Sequence, residues 1–381
     1  MKILQFGKFY YPVFGGMERA MYEIVEGFNA RNISCDVLCS NTKARNEISD
    51  FGSYKVYRAA SYGLIHSTPI SPQLISTLWK IHKEYDVIQI HHPDPMAFLA
   101  LFIVRPSCKI VVQWQSDIVR QEKMLKLFLP LQNWVLNRAD AIIAASEAYA
   151  IHSPYLIPHS DKTEIVPIGI SEDALRADEN SVREIKERYQ NKKIVLSFGR
   201  LVSYKGFEYL IEAGRYLDDD YIILIGGGGP EEQNLRELIT RYHLDDKVYL
   251  LGHVDEKEKY NYYQASSIFA LPSVTKAEAY GVVLLEAMAF GKPIVSSRIE
   301  ESGMVWVNQD RITGLHVTPR LPKELAQAIL EIGNDPKLYQ KFSENGRERY
   351  QKLFTREIMI DKLEALYHKI FNNKRGINAK S

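Results

Sequence analysis

The sequence predicts an α/β protein made of two Rossmann-like, doubly wound domains that face a cleft. Three observations predict it. The chain has 381 residues, enough for two domains of ordinary size. Short apolar runs of strand length alternate with helical stretches, the pattern of parallel sheets covered on both faces. The rhythm restarts near residue 175, after the short segment Val166-Pro167-Ile168-Gly169-Ile170.

Ile3 to Phe6 is the first strand. A turn at Gly15-Gly16 follows, then a helix from about Glu18 to Ala30, with Met21, Ile24, Val25 and Phe28 at helical spacing. Cys35 to Cys39, Asp86 to Ile90, Lys109 to Gln113 and Ala141 to Ala145 are further strands. The second series places strands at 194–198, 221–225, 248–251, 268–271 and 294–296, with helices at 206–217 and 231–242. A last helix, Arg356 to Phe371, lies beyond the second sheet and is expected to pack back on the first domain. A polar tail follows it.

Composition narrows the function. Lys and Arg number 48 against 47 Asp and Glu, and residues 1–175 are themselves balanced at 17 against 17. A neutral chain without a basic patch argues against nucleic-acid binding. The three cysteines, Cys35, Cys39 and Cys108, form no C-x-x-C pair, which argues against a disulfide framework or a zinc site. The opening apolar run is too short for a signal peptide, and no stretch of about 18 apolar residues marks a membrane span. A cytoplasmic protein is the expectation.

Four constellations point to chemistry. Gly15-Gly16-Met17-Glu18 sits between a strand and a helix, where free N–H groups favour an anion. Arg200 and Lys205 follow a strand end on a loop, and two cations there suit a diphosphate gaining charge as it leaves. Gly226 to Gly229, followed by Pro230 and Glu231, breaks the dinucleotide fingerprint and is expected to form a glycine floor, with Gly227, beneath a nucleotide. Glu278-Ala279-Tyr280-Gly281-Val282 leads into a helix that carries Glu286 two turns on. The intervening Val282 to Leu285 are expected to pack inward, so Glu286 needs a partner, and a ribose diol suits a carboxylate. The N–H groups near Tyr280 and Gly281 are expected to face the diphosphate. Asp218-Asp219-Asp220 precedes a strand and therefore lies at the wrong end of a sheet for a metal site. His91 and His92 are adjacent on a strand and point to opposite faces.

At these residues the sequence resembles glycosyltransferase family 4, of GT-B fold, over nearly the whole chain. The resemblance implies a retaining sugar transfer from a nucleotide diphosphate sugar, with no cofactor and no metal. It implies Arg200 and Lys205 on the diphosphate, Glu286 on the ribose, Glu278 on the donor sugar, and Gly15 and Gly16 completing the phosphate site. Residues 1–172 would then be the acceptor-binding domain, 173–354 the nucleotide-sugar-binding domain, and 355–381 the returning helix and tail. A narrower resemblance, in residues 114–121 and in Trp306-Val307-Asn308, is to bacterial mannosyl- and rhamnosyltransferases of O-antigen and related surface polysaccharides. It adds Gln115 and Asp117 as catalytic candidates, and Glu18, Asp117 and Arg120 on the acceptor side. Gln115 stands where that group usually has His, and Gln89 similarly replaces a frequent His; an amide hydrogen-bonds but does not titrate.

The resemblance makes GDP-mannose the first choice of donor and a polyprenyl-diphosphate-linked saccharide the acceptor. A UDP-sugar-dependent transferase, a nucleotide-sugar epimerase and a catalytically impaired binder are the alternatives. Such an acceptor implies contact with an anionic membrane surface, on the cytoplasmic face of the inner membrane. The apolar stretch Glu122 to Arg138, with Lys123, Lys126 and Arg138 interspersed, is the candidate surface, and Pro130 is expected to split it into two short helices.

Overall fold

The computed structural model describes residues 1–372 except 14, 66–67, 119–121 and 174, and gives the backbone alone for 122–127. The chain forms two compact units: unit 1 is Met1–Gly169 with Arg356–Ser381, and unit 2 is Ile170–Thr355.

Unit 1 is built on strands β1 (Ile3–Gly7), β2 (Cys35–Ser40), β3 (Glu47–Asp50), β4 (Lys55–Ala59), β7 (Val87–His92), β8 (Lys109–Trp114), β9 (Ala141–Ala144) and β10 (Thr163–Ile165), with a small hairpin of β5 (Leu64–Ile65) and β6 (Thr68–Pro69) beside them. The sheet order is β10-β9-β8-β7-β1-β2-β4-β3, parallel except for β3 on β4. Strands β1, β2 and β7 are buried along their whole length, so apolar residues fill both faces, with Gln5, Asp36, Gln89, His91 and His92 buried among them. The strand order reverses between β1 and β7, which pair from Ile3↔Val87 to Phe6↔Ile90. Ligands bind at the carboxyl ends of strands flanking such a point.

Helix Arg356–Asn372 closes this unit by packing on helix Gly16–Ala30. Phe28 stacks on Tyr367 at 5.5 Å, Arg31 meets Asp361 at 2.6 Å, and Arg356 donates to the fully buried Glu23. Pro130 does not split helix Glu122–Arg138, which runs through it unbroken. Burial of Gln132, Val135 and Leu136 in its second half offsets the hydrogen bond that Pro130 removes.

Unit 2 carries β11 (Lys193–Phe198), β12 (Tyr221–Gly226), β13 (Val248–Gly252), β14 (Ile268–Leu271), β15 (Ile294–Ser297) and β16 (Gly314–Val317). All are parallel, in the order β13-β12-β11-β14-β15-β16, with the reversal between β11 and β14. Val195, Ile223, Ile225, Ile268 and Val295 anchor its core. The boundary falls three residues before the expected 172, because Ile170 bridges to Thr355, receives Tyr350 on its carbonyl and donates to the Phe354 carbonyl. Among the described residues no helix is long and apolar enough to cross a membrane.

Candidate functional site

In unit 2 the loops leaving β11 and β14 run side by side. The Val274 N–H donates to the Tyr204 carbonyl at 2.8 Å. Gly206, at φ +68°, lies so close to the β14 loop that a Cβ there would stand 2.2 Å from the Pro272 carbonyl oxygen. Only glycine permits that approach. It brings the Lys205 ammonium directly onto the Glu278 carboxylate, with Ser273 donating to Glu278 at 3.2 Å.

The sequence places Lys205 on a loop; the structure buries it, in the short helical turn Ser203–Lys205, as it buries Glu278. Burial opposes the charge on Lys205, yet the Glu278 carboxylate beside it holds its pKa above the ordinary lysine value. Arg200 is exposed just beyond the end of β11 and makes no ion pair among the described residues.

Gly281 opens helix Val282–Ala289, and the Tyr280 ring is buried, tilted against Trp306. Leu284 and Leu285 are buried as expected, but Val282 and Val283 are only half-buried: four consecutive helical residues span too wide an arc for all to face one core. Glu286 is 2% exposed. Its partners within the chain are Lys259, whose Nζ lies 2.6 Å from Oε1, and the Tyr263 hydroxyl, 2.8 Å from Oε2. Sequence reasoning missed both. They lie four residues apart on helix Glu256–Ala265, and nothing in that helix's pattern links it to a residue more than twenty positions away.

The glycine segment is held by close backbone contacts. Gly227, at φ +134°, would place a Cβ 2.0 Å from the Gly199 carbonyl oxygen, and Gly229 would place one 2.3 Å from that of Leu201. Leu201 donates to the Gly228 carbonyl at 3.0 Å and Gly199 to that of Gly226 at 3.0 Å. These glycines let two loops extend the sheet's pairing beyond the strands and so hold Arg200 at its edge. Asp218 to Asp220 lie in the turn before β12, away from the carboxyl ends, and Asp219 is fully exposed against Lys247.

In unit 1 the candidates gather at the carboxyl ends of β1, β7 and β8. Gly16 is the first residue of its helix, and the Glu18 carboxylate turns back over Gly15. Burial raises the pKa of Glu18, with Asp94 adding to it and Lys8 opposing. Asp94, fully buried, caps helix Pro95–Val104 by accepting from the Ala97 N–H at 3.2 Å; this is a further residue that sequence reasoning missed.

His91 and His92 leave on opposite faces of β7 as expected. Burial lowers the pKa of each to about 3, so both are neutral. His91 Nε2 therefore donates to Gln5 Oε1 at 2.8 Å, and its Nδ1 accepts from Gln115 Nε2 at 3.0 Å. His92 stacks on Trp114 at 3.6 Å. Gln89 bonds to Gln113 and to Tyr367 inside the core. Asp117 accepts from Trp114 Nε1 at 3.0 Å and from Ser153 at 2.8 Å, so this carboxylate fixes the loop after β8. Arg120 lies outside the described residues. Among the described residues no three His, Cys, Asp or Glu side chains are grouped to hold a metal.

Two Rossmann-like units of this topology define the GT-B architecture. Solved structures share it: the Anabaena protein HepE in complex with UDP has a TM-score of 0.77 at 21% identity, covering 97% of this chain and all of that one. Sucrose-phosphate synthase from Thermosynechococcus elongatus has a TM-score of 0.82 at 20% identity, covering 98% of this chain and all of that one.

In sequence, residues 14–174 match "Glycosyltransferase Family 4" and residues 178–349 match "Glycosyl transferases group 1". The chain is 30% identical over 375 residues to O-antigen chain mannosyltransferase C of Escherichia coli, covering 98% of this chain and all of the relative. It is 30% identical over 356 residues to the D-rhamnosyltransferase WbpZ of Pseudomonas aeruginosa, covering 93% of this chain and 92% of the relative. The chain belongs to the family-4 glycosyltransferases.

Proposed function

We propose that the protein transfers a hexose, with retention of configuration and without a metal, from a nucleoside diphosphate donor to a lipid-linked saccharide of O-antigen or a related surface polysaccharide. The Lys205–Glu278 pair carries the reading. A buried cation and carboxylate that neutralise each other can exchange partners with a donor. The diphosphate takes over Lys205, and Glu278 is released to accept from hydroxyls of the sugar.

Arg200 and the N–H groups around Gly281 then meet the charge that grows on the departing phosphate. The acceptor hydroxyl attacks from the side the phosphate leaves, and that phosphate takes the proton, so no enzyme nucleophile is called for. In unit 1, Gly15, Gly16 and Glu18 offer an anion-facing and acceptor-facing turn, while Gln115 and Asp117 hold the loop after β8.

The two named relatives support the sugar: mannose and D-rhamnose differ only at C6, and GDP-mannose is the donor we propose. The acceptor of this proposal lies at the cytoplasmic face of the inner membrane, reached by weak association with anionic lipid.

The test is incubation of the protein with GDP-mannose, or with UDP-sugars, with and without lipid-linked acceptor. Slow release of free sugar from the donor alone, and an α-linked product from an α-linked donor that forms equally in EDTA, are expected. A new nucleotide sugar identifies an epimerase. Absence of hydrolysis and transfer with every donor, despite nucleotide binding, identifies a binding protein and overturns the proposal.

A further inference from the structure

We propose that Lys259 and Tyr263 are positioning residues that aim Glu286 at a vicinal cis-diol, and that these two residues set how strongly the protein prefers a ribonucleotide. The proposal rests on the donor-site reading of unit 2 and names what that site selects.

Glu286 is nearly sealed from solvent, and a buried carboxylate keeps its charge only with a cation and hydrogen-bond donors around it. Lys259 and Tyr263 supply these from one face of helix Glu256–Ala265, and each takes a different oxygen. The two oxygens have about four acceptor directions between them. One contact on each leaves a second direction on each, side by side, and a cis-diol presents two donors with that spacing.

Both partners are themselves fixed. The Lys259 ammonium lies 5.8 Å from the ring centroids of Phe198 and of Tyr263. The Tyr263 ring is fully buried and stacks on Phe290 at 5.7 Å. Its hydroxyl also lies 3.1 Å from the Val283 carbonyl, so it ties the carboxylate to the first turn of Glu286's own helix. The carboxylate plane is therefore set before any ligand arrives, which is how a hydrogen-bonding site gains selectivity.

Calorimetric titration of the intact protein with GDP, UDP and their 2′,3′-dideoxy analogues tests this. Wild type should prefer the ribonucleotide by roughly tenfold or more. Lys259→Met should cut that preference by roughly fivefold or more, by weakening the ribonucleotide and leaving the dideoxy analogue unchanged. Lys259→Arg should restore most of it, and Tyr263→Phe should lose a smaller part. If Lys259→Met does not fold, Tyr263→Phe, which removes one hydroxyl, carries the same comparison.

A lower melting temperature with an unchanged ribo-to-dideoxy ratio in the variants overturns the proposal and leaves a purely structural ion pair. A wild type that binds the diphosphates without preferring ribose overturns the proposal while the donor-site reading stands. Failure to bind either diphosphate overturns both.

Discussion

At the carboxyl end of the unit 2 sheet the buried polar groups are charged and paired, Lys205 with Glu278 and Lys259 with Glu286. At the same end of unit 1 the buried chain Gln5–His91–Gln115 is neutral, held by amide and imidazole hydrogen bonds. The folds are alike, so the difference lies in the loops and strand ends. Paired charges can trade partners with a polyanion. A neutral network cannot, and the charged anchor beside it, Asp117, is held by Trp114 and Ser153 instead of by a cation. The contrast is the one expected if, as proposed, unit 2 holds the donor.

Removing one member of the charged set should have the largest effect. Lys205→Ala should lower kcat by about 10²–10³, the scale of losing one preorganised charge donor. It also leaves Glu278 buried without its cation, a loss of about 3–5 kcal/mol of stability. The double variant Lys205→Met, Glu278→Gln should recover stability and remain inactive. Donor turnover and thermal melting check both, and a stable single variant with normal turnover would remove Lys205 from the reaction.

Acid should break the comparison from the other side. His91 and His92 have folded pKa values of about 3, against about 6.5 when unfolded. As pH falls below 6.5 the unfolded chain takes up protons that the folded unit does not, so stability is present above 6.5 and lost toward 3. The slope is about 1.4 kcal/mol per pH unit for each histidine. Glu18 and Asp94, raised by burial, have the opposite sign and offset part of the loss at lower pH. Unit 1 should therefore loosen first between about pH 6 and 5. Trp114, stacked on His92, reports it, with Trp306 as the unit 2 reference. Simultaneous transitions at both tryptophans would refute this.

The position of Gln115 sharpens the neutral side. Gln115→Ala leaves the buried His91 Nδ1 without its donor, at a cost of about 1–3 kcal/mol, and should slow turnover. Gln115→His retains a ring N–H and should be tolerated. If both variants turn over at the wild-type rate, the position does not touch the reaction.

How much was legible beforehand follows the same division. Strands buried on both faces, such as β1, β7, β11 and β12, read directly as apolar runs. The edge pair β3 and β4 did not, because Glu47 to Asp50 holds a single apolar residue, Ile48, and that one is exposed. Lys205, Glu278 and Glu286 stood out by spacing. Their ion pairs, and the contact of His91 with Gln115, join residues 24 to 73 positions apart, a separation that only the sheet order closes. The close approach of the Gly199 and Leu201 carbonyls to Gly227 and Gly229 was not legible, because the sequence does not say what approaches a glycine.

The smallest expected effect concerns the membrane surface proposed for unit 1. Burial of Gln132, Val135 and Leu136 assigns the second half of helix Glu122–Arg138 to the core. Lys123 and Lys126, the cations of the proposed membrane contact, lie in its first turns, whose side chains are outside the described residues. The neighbouring helix Pro95–Val104 extends the surface: Ile103 is exposed, and Phe102 meets Trp134 edge-on at 5.0 Å under the Arg105 guanidinium. A few apolar side chains rimmed by cations give weak, salt-sensitive attachment. Each cation near an anionic surface contributes about 1 kcal/mol. Lys123→Glu with Lys126→Glu should therefore weaken vesicle binding by at least about tenfold and leave donor hydrolysis unchanged. Co-sedimentation with anionic vesicles at low salt, and release at high salt, is the measurement. A wild type that ignores such vesicles at low salt, even with lipid-linked acceptor present, contradicts the membrane surface and leaves the donor chemistry of unit 2 untouched.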